Sequence, residues 1–289
     1  MFFLTEGEKE VTLTKKNFAM LLMVVCSILW STAGIFIKLI KFNPLVISGF
    51  RGLIAGLVIL TYMKIAKIPF ILNKKIAIGA VSGGISFIVF VIANKLTTAA
   101  NAIVLQYTLP IFILIFSAVF FKKKADKIDI IATIVTFFGI ILFFFDSIGT
   151  GSLIGNLLSI LSGAALAGMF VVTGEQTESE RLSCICSSHL FTAIFGIPFV
   201  FFTENTLDSS SILFVVILGM LQLGLPYILF GIAVGSCPPL ACSLISAIEP
   251  LLNPVWVFIF AGEAPGKWAF IGGIIVVTAV TARCVIKTE

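Results

Sequence analysis

A single carboxylate lies near the middle of an apolar run that is long enough to cross a bilayer. The run extends from Ser243 to Glu263, and the carboxylate is Glu249, followed directly by Pro250. Ionisable groups at that depth are costly, so they usually face a cavity or another helix rather than lipid. Proline leaves one carbonyl without its helical donor and bends the helix. A charge beside a bent helix at mid-membrane is typical of a solute-binding site, so Glu249 is the first candidate to bind a substrate or carry a proton.

Two further polar residues extend the stripe that begins at Glu249. Asn253 and Trp256 follow at i+4 and i+7, which places all three on one helical face. An acid, an amide and an indole on one face suit a zwitterion or an amine, and Pro254 is a second predicted kink beside them. The alternative is that Glu249 is a structural carboxylate bonded to a neighbouring helix and that the amide joins helices.

Two other apolar runs carry a glutamine and a tyrosine beside a proline that is a predicted kink. Amide and hydroxyl groups at mid-membrane need partners or a wet cavity. We interpret them as a polar girdle at one depth that contacts substrate, with helix–helix hydrogen bonding as the alternative. The residues are Gln106, Tyr107 and Pro110 in the first run and Gln222, Pro226 and Tyr227 in the second.

Four more side chains are candidates for the same site. Arg51 can hold a substrate carboxylate through two hydrogen bonds, or snorkel to the interface in a structural role. His189, the single histidine, is a candidate proton relay or a bonded packing residue. Trp30 and Ser31 share a face with small residues, which suits close helix packing. Trp30 can also wall a cavity or face lipid.

No group of residues in the sequence predicts catalysis, a cofactor or a bound metal. Most of the six cysteines lie in apolar runs, where a thiol acts as a small hydrophobe. Cys184 and Cys186 form the only close pair, and no second pair or histidine cluster completes a zinc pattern. There is no glycine-rich phosphate loop. Asp126, Asp129 and Asp146 lie near the ends of apolar runs, where we expect solvated helix caps.

The composition predicts a membrane protein with many spans. The chain is 59% hydrophobic and 11% charged, with a mean hydropathy of +1.17, whereas soluble domains are about 25% charged. Continuous apolar runs exclude a membrane β-barrel, so the predicted class is an all-α membrane protein, and the net charge does not point to nucleic acid. With about 20 apolar residues per span, we predict ten transmembrane helices at 17–40, 45–66, 75–95, 98–121, 128–147, 152–174, 183–203, 211–233, 239–260 and 267–286.

The basic residues predict the orientation of these spans. If the N-terminus is inside, most lysines and arginines lie on the inner side, including the cluster Lys122, Lys123 and Lys124. The positive-inside rule therefore places both termini in the cytoplasm, in a cytoplasmic (inner or plasma) membrane. Residues 1–16 are mixed polar and are predicted to be a cytoplasmic segment. We expect no cleavable signal before the first span.

The second half of the chain repeats the first. Pro110 and Pro250 are 140 residues apart, and Phe90 recurs as Phe230 at the same distance. We predict two repeats, 17–147 and 152–286. Each would hold five spans, an odd number, so the second would enter the membrane upside down relative to the first. Inverted repeats are the architecture of alternating access about a shared midplane site.

This pattern resembles the drug/metabolite transporter superfamily, in particular its ten-helix EamA branch. The first half departs at Lys122 and Lys123, where the family's Gly-Glu pair is expected. The resemblance implies a small-molecule carrier, often an exporter of amino acids or other metabolites. It rests on Glu249-Pro250 and Gly262-Glu263, which look like the family's EP…GE signature, on Gly272-Gly273, and in the first half on Trp30–Lys38, Arg51 and Thr97–Pro110.

These observations predict an alternating-access transporter, not an enzyme, for a small polar metabolite such as an amino acid or an amine. The predicted transporter is surrounded by membrane lipid, and a proton is the candidate coupling ion. One alternative is a quaternary amine such as choline, or a nucleotide-linked metabolite. The phosphates of the latter would need several cations, and only Arg51, Lys38 and Lys95 are near enough. A more distant alternative is a membrane-embedded enzyme or a lipid-headgroup-binding protein. The oligomeric state stays open.

Overall fold

The computed structural model describes residues 6–97, 99–143, 145, 152–204, 208–252, 256 and 267–286. Within those ranges the chain is helical and has no strand, which confirms the predicted all-α class. A 3-10 helix, Ile197–Phe201, follows α9, and a π-helix, Leu218–Gly224, joins α10 to α11. The α-helices are α1 (Glu6–Trp30), α2 (Ala33–Leu39), α3 (Pro44–Ile65), α4 (Lys74–Leu96), α5 (Ala99–Gln106), α6 (Leu109–Phe121), α7 (Lys127–Phe143), α8 (Leu153–Gly174), α9 (Glu178–Gly196), α10 (Ser209–Ile217), α11 (Leu225–Ala233), α12 (Pro239–Ile245) and α13 (Lys267–Ile286).

Many of these helices have the length and composition of membrane spans. Large apolar side chains point outward along them; Ile65, Leu153 and Phe201 are 77%, 73% and 83% exposed, which suits contact with lipid. The count of ten spans and the cytoplasmic position of both termini stay predictions. Among the described residues, six helical stretches are long and apolar enough to cross a bilayer, namely Pro44–Ile65, Lys74–Leu96, Asn101–Phe121, Leu153–Gly174, Glu178–Phe201 and Ser209–Ala233, and two shorter apolar ones are Pro239–Leu252 and Phe270–Ile286.

Three predicted spans are interrupted near the middle. The first breaks at residues 31–32, the fourth at 107–108 and the ninth at 246–247. Pro110 and Pro226 lie in the first turns of α6 and α11, so each begins a helix where a kink was predicted. The first turn is where the missing N–H of proline costs least. Pro250 follows the third break, within helical residues 248–252. Pro254 lies outside the described residues.

Hydroxyl side chains satisfy backbone carbonyls at all three breaks. Each donates to the carbonyl three residues earlier, at 2.6–2.8 Å. Such bonds compete with the helical N–H donors and bend helices. At the first break they occur without a proline, and the predicted span over 17–40 consists of two helical segments, α1 and α2. The pairs are Ser31 with Ile28, Thr32 with Leu29, Thr108 with Leu105, and Ser246 with Ser243.

The two halves of the chain pack closely against each other. Helix α4 packs on α8 and α9, α3 on α9, and α7 on α13. Where α3 meets α9, a Cβ added to Gly49 would lie 2.5 Å from the nitrogen of Ile197 and 2.7 Å from the carbonyl carbon of Gly196. The two backbones are therefore in direct contact, as small residues permit between membrane helices.

We expect Gly49→Ala to destabilise the protein by about 1–3 kcal/mol, because the added methyl group meets rigid backbone and the helices must separate. The measurement is thermal unfolding of the purified protein in a lipid nanodisc. Gly273→Ala is the matched control, since its Cβ would lie 3.5 Å from a ring carbon of Phe143, an ordinary contact. Equal melting temperatures for both variants would contradict the close contact.

An ion pair buried between α7 and α13 corrects one prediction. Arg283 donates from Nε and Nη2 to Asp129 Oδ1, at 3.1 and 3.0 Å, and the two side chains are 5% and 13% exposed. Asp129 is therefore not a solvated cap. Its partner lies 154 residues later in the chain, which no local pattern reveals. Asp126 does act as a cap, because its Oδ1 accepts from the backbone N–H of Asp129. Asp146 lies outside the described residues.

Candidate functional site

A cavity within the helical bundle brings together most of the residues that the sequence singled out. The volume that the centres of water-sized spheres can occupy in this cavity is about 50 Å³, which is enough for a few waters. Polar and aromatic side chains from both halves form its wall. The lining residues are Trp30, Arg51, Phe87, Phe90, Gln106, Tyr107, Leu109, Leu166, Phe170, Gln222, Leu223, Tyr227, Ser246 and Glu249.

Glu249 reaches the cavity beside the break in the ninth predicted span. Pro250 cannot donate to the carbonyl four residues earlier, which is that of Ser246. That carbonyl accepts from the backbone N–H of Glu249 at 2.8 Å and also from the hydroxyl of Tyr107, which lies 3.1 Å from Glu249 Oε2. Tyr107 itself precedes α6 at the break in the fourth predicted span. The two interrupted helices thus meet at the acid, and one hydroxyl contacts both the Ser246 carbonyl and the carboxylate.

Arg51 supplies the positive charge of the cavity. Its side chain is 2% exposed, and its Nη2 donates to the backbone carbonyl of Phe87 at 3.1 Å. Arg51 therefore does not snorkel to the interface, while its bond to Phe87 fits the structural role that was the alternative to substrate binding. Its Nε is buried and has no hydrogen-bond partner among the described residues. A guanidinium with one donor unused can still bind a carboxylate.

The two glutamines of the cavity differ in their bonding. Gln106 donates to Ser162 Oγ at 2.8 Å, and Gly163 makes room for its backbone, since a Cβ there would lie 2.5 Å from the Gln106 carbonyl. Gln106 is therefore at least partly a link between α5 and α8. Gln222, from the π-helix, has a buried Oε1 without a partner in the described part of the chain, as does Nε1 of Trp30. These two side chains keep an acceptor and a donor available.

Aromatic rings cover much of the cavity wall. The ring of Tyr227 lies 5.0 Å from that of Trp30 and 5.1 Å from that of Phe87, measured between centroids. His189 lies outside the lining, stacked on Phe87 at 4.6 Å with an angle of 5° between the planes. Faces of aromatic rings attract cations, so this wall suits a ligand with a positive end.

The sequence of both halves matches one family. The model of the EamA-like transporter family matches residues 17–145 and, a second time, residues 153–282. The chain belongs to the EamA-like transporter family. It is therefore a multi-pass membrane transporter of the drug/metabolite transporter superfamily, with a small-molecule substrate, and the resemblance drawn from the sequence is confirmed.

The fold of this EamA-like transporter is also found in solved structures. One, described only as "Crystal structure of protein", aligns with a TM-score of 0.78 and 17% sequence identity, and covers 93% of this chain and 98% of that chain. At that identity the likeness concerns the fold alone. No curated protein matches the sequence.

Some residues predicted for the site lie elsewhere in this EamA-like transporter. Ser31 and Trp256 are not among the lining residues; Trp256 Nε1 donates to Ser31 Oγ at 2.8 Å, which joins the first and ninth predicted spans. Asn253 lies outside the described residues. His189 is fully buried behind Phe87, and neither ring nitrogen has a hydrogen-bond partner in the described ranges.

Sequence reasoning missed the apolar part of the wall. Phe87, Phe90 and Phe170 line the cavity, but a phenylalanine within an apolar run looks the same whether it faces lipid or solute. Ser246 was also missed, although a signal for it existed. It lies four residues before Pro250, so its carbonyl is the one that cannot receive the usual helical donor from the proline.

Proposed function

We propose that this EamA-like transporter carries a small zwitterion, most simply an amino acid, by alternating access between its two halves. One observation carries the proposal. Glu249 and Arg51 line the same cavity, and among the described residues neither has an ion-pair partner. A buried charge without a partner is costly. A ligand with a positive and a negative group would stabilise both.

The unused hydrogen-bonding atoms of the cavity support the same ligand. Buried polar atoms are normally bonded, so those without a partner need an explanation such as a ligand or water. Arg51 Nε and Trp30 Nε1 are donors, which suit a carboxylate, and Gln222 Oε1 is an acceptor, which suits an ammonium group beside Glu249. The two kinds of atom match the two ends of a zwitterion.

A simple or quaternary amine such as choline is the second candidate. The aromatic wall formed by Trp30, Phe87 and Tyr227 favours it, since such rings bind ammonium groups. Arg51 argues against it, because an amine gives the guanidinium no partner. The zwitterion therefore accounts for more of the lining.

A nucleotide-linked metabolite fits the cavity poorly. Lys38 and Lys95, which offered further positive charge, donate instead to backbone carbonyls at the ends of α4 and α2, at 3.0 and 2.7 Å. Arg51 is then the one cation among the lining residues. Room for a few waters is also small for a nucleotide, and family membership argues against a membrane-embedded enzyme.

We also propose that the protein lies in the cytoplasmic membrane, that it has ten spans in two inverted halves, and that both termini are in the cytoplasm. The double family match and the lysine distribution support it.

A second cavity lies at the end of the bundle that we assign to the cytoplasm. The volume that the centres of water-sized spheres can occupy in it is about 230 Å³, and its lining includes Lys124, Val171, Pro238 and Arg283. It would admit solute from that side.

Counterflow in proteoliposomes tests the proposed function. Liposomes with the purified protein are loaded with an unlabelled amino-acid mixture, and uptake of labelled amino acids is followed, with protein-free liposomes as the control. We expect uptake that requires the internal mixture, and competition then identifies the solute. Exchange of amines but of no amino acid would instead favour the second candidate.

Arg51→Gln should separate the two ends of the substrate. We expect exchange of the amino acid to fall about 10- to 100-fold, the worth of a buried hydrogen bond to a charged group. Exchange of the amine made from it by removal of the carboxyl group should fall much less, which also shows that the variant folds. Lys64→Gln, which removes an exposed positive charge, is the control. Equal losses for both solutes would exclude Arg51 as the carboxylate partner.

A further inference from the structure

Tyr107 is the point where the two broken helices of the cavity are joined. It is 4% exposed and belongs to the first half of the chain. Its hydroxyl contacts two acceptors of the second half, the carbonyl of Ser246 and Oε2 of Glu249, the latter at 3.1 Å. Gln106 and Ser246 each lie four residues before a proline, 140 residues apart. The contact therefore links equivalent breaks of the two repeats.

This link differs from the other contacts between the halves at the cavity. Gln106 donates to the hydroxyl of Ser162. A bound solute would not compete for that hydroxyl, because Ser162 does not line the cavity. Tyr107 contacts the one carboxylate of the lining, which is also the group that a substrate ammonium requires. A phenol carries a single donor proton. An ammonium, with up to three donors, would take Glu249 and leave the phenol to Ser246 alone.

We infer that Tyr107 is a positioning residue that couples occupation of Glu249 to movement of the two halves. In the empty transporter the phenol donates to Ser246 and lies against Glu249, both in the second half, so the halves resist rocking. Substrate bound at Glu249 reduces the link to one contact and makes rocking easier. The loaded transporter then reorients faster than the empty one, so exchange of solute for solute outruns net transport. This inference rests on the proposed function for its substrate class.

Tyr107→Phe tests the inference because it keeps the ring and removes the link. The measurement is the ratio of exchange, in liposomes with solute on both sides, to net efflux into solute-free buffer. We expect the variant to lower this ratio about tenfold by speeding return of the empty transporter, about 1.4 kcal/mol of barrier. A merely structural role would lower both rates together and leave the ratio unchanged, which would overturn the inference.

Tyr227→Phe is the matched control. It also removes a hydroxyl from the cavity wall, but no hydrogen bond from that hydroxyl to the other half occurs within the described ranges. Whatever happens to its rates, its ratio should stay at the wild-type value. A ratio that falls equally in both variants would assign the effect to loss of any cavity hydroxyl and overturn the role of Tyr107.

A second measurement does not depend on the substrate. Spin labels at Lys124→Cys and Ser236→Cys, both exposed and on different halves, report the distance between the halves in the empty protein, with partly exposed Cys284 replaced by serine. We expect Tyr107→Phe to broaden the distance distribution. An unchanged distribution would overturn the inference. If the distribution broadens but the wild-type protein exchanges no amino acid or amine, the role of Tyr107 is kept and the proposed substrate class is rejected.

Discussion

Glu249→Gln should reduce exchange of substrate at least about 30-fold, the lower end of the cost of removing one partner of a buried charge pair. The amide keeps the size of the side chain and an acceptor for Tyr107, which bonds the carboxylate at 3.1 Å. What it lacks is the negative charge that an ammonium group needs. We expect the loss in the counterflow assay, and quenching of tryptophan fluorescence by added substrate should weaken in parallel, since Trp30 lines the same cavity.

Two controls make this result specific. Glu178→Gln removes a carboxylate from the exposed start of α9, and its exchange should match the wild type. Unfolding of Glu249→Gln in nanodiscs should occur at or above the wild-type temperature, because a neutral amide is cheaper to bury than a charge. Normal exchange kinetics in the Glu249→Gln protein would remove Glu249 from the binding site.

Asp129→Asn should destabilise the protein by about 3–5 kcal/mol, because it leaves Arg283 buried without its charge partner. The guanidinium donates twice to Asp129 Oδ1, and its side chain is only 5% exposed. The two residues join α7 to α13, the last described helix of each half. The measurement is unfolding in a nanodisc, followed by intrinsic fluorescence.

The double variant Asp129→Leu with Arg283→Met separates the cost of an unpaired charge from the worth of the pair. Replacement of a buried ion pair by apolar side chains is often neutral, so the double variant should recover most of the stability that Asp129→Asn loses. If Asp129→Asn is as stable as the wild type, water reaches the guanidinium of Arg283. A double variant as unstable as the single would show that packing, rather than charge, decides.

Much of the polar lining could be predicted because polar residues stand out in apolar runs. Gln106, Tyr107, Gln222 and Tyr227 were singled out beside prolines, and the structure places all four in the wall of one cavity with Glu249. Their roles toward a substrate stay predictions. Ser31 and Trp256 were assigned to the same site on helical spacing alone; they bond each other and are not among the lining residues.

The features that could not be predicted depend on contacts between distant segments. Asp129 looked like a helix cap because its partner Arg283 comes from the other end of the chain. The break at Ser31 carries no proline, and the hydroxyl bonds found there also occur within an unbroken helix, as between Thr192 and His189 in α9. Spacing along one helix specifies a face. Which neighbour that face meets is decided by packing.

The small central cavity limits what this transporter can do for a cell. A cavity of this volume suits a compact solute, and we expect an antibiotic or dye with several fused rings to need the aromatic wall of Trp30, Phe87 and Phe170 to open. Overproduction should therefore protect cells from toxic analogues of one small metabolite and leave their sensitivity to bulky antibiotics as it was. That outcome would place the protein with the metabolite carriers of its superfamily rather than with the drug pumps.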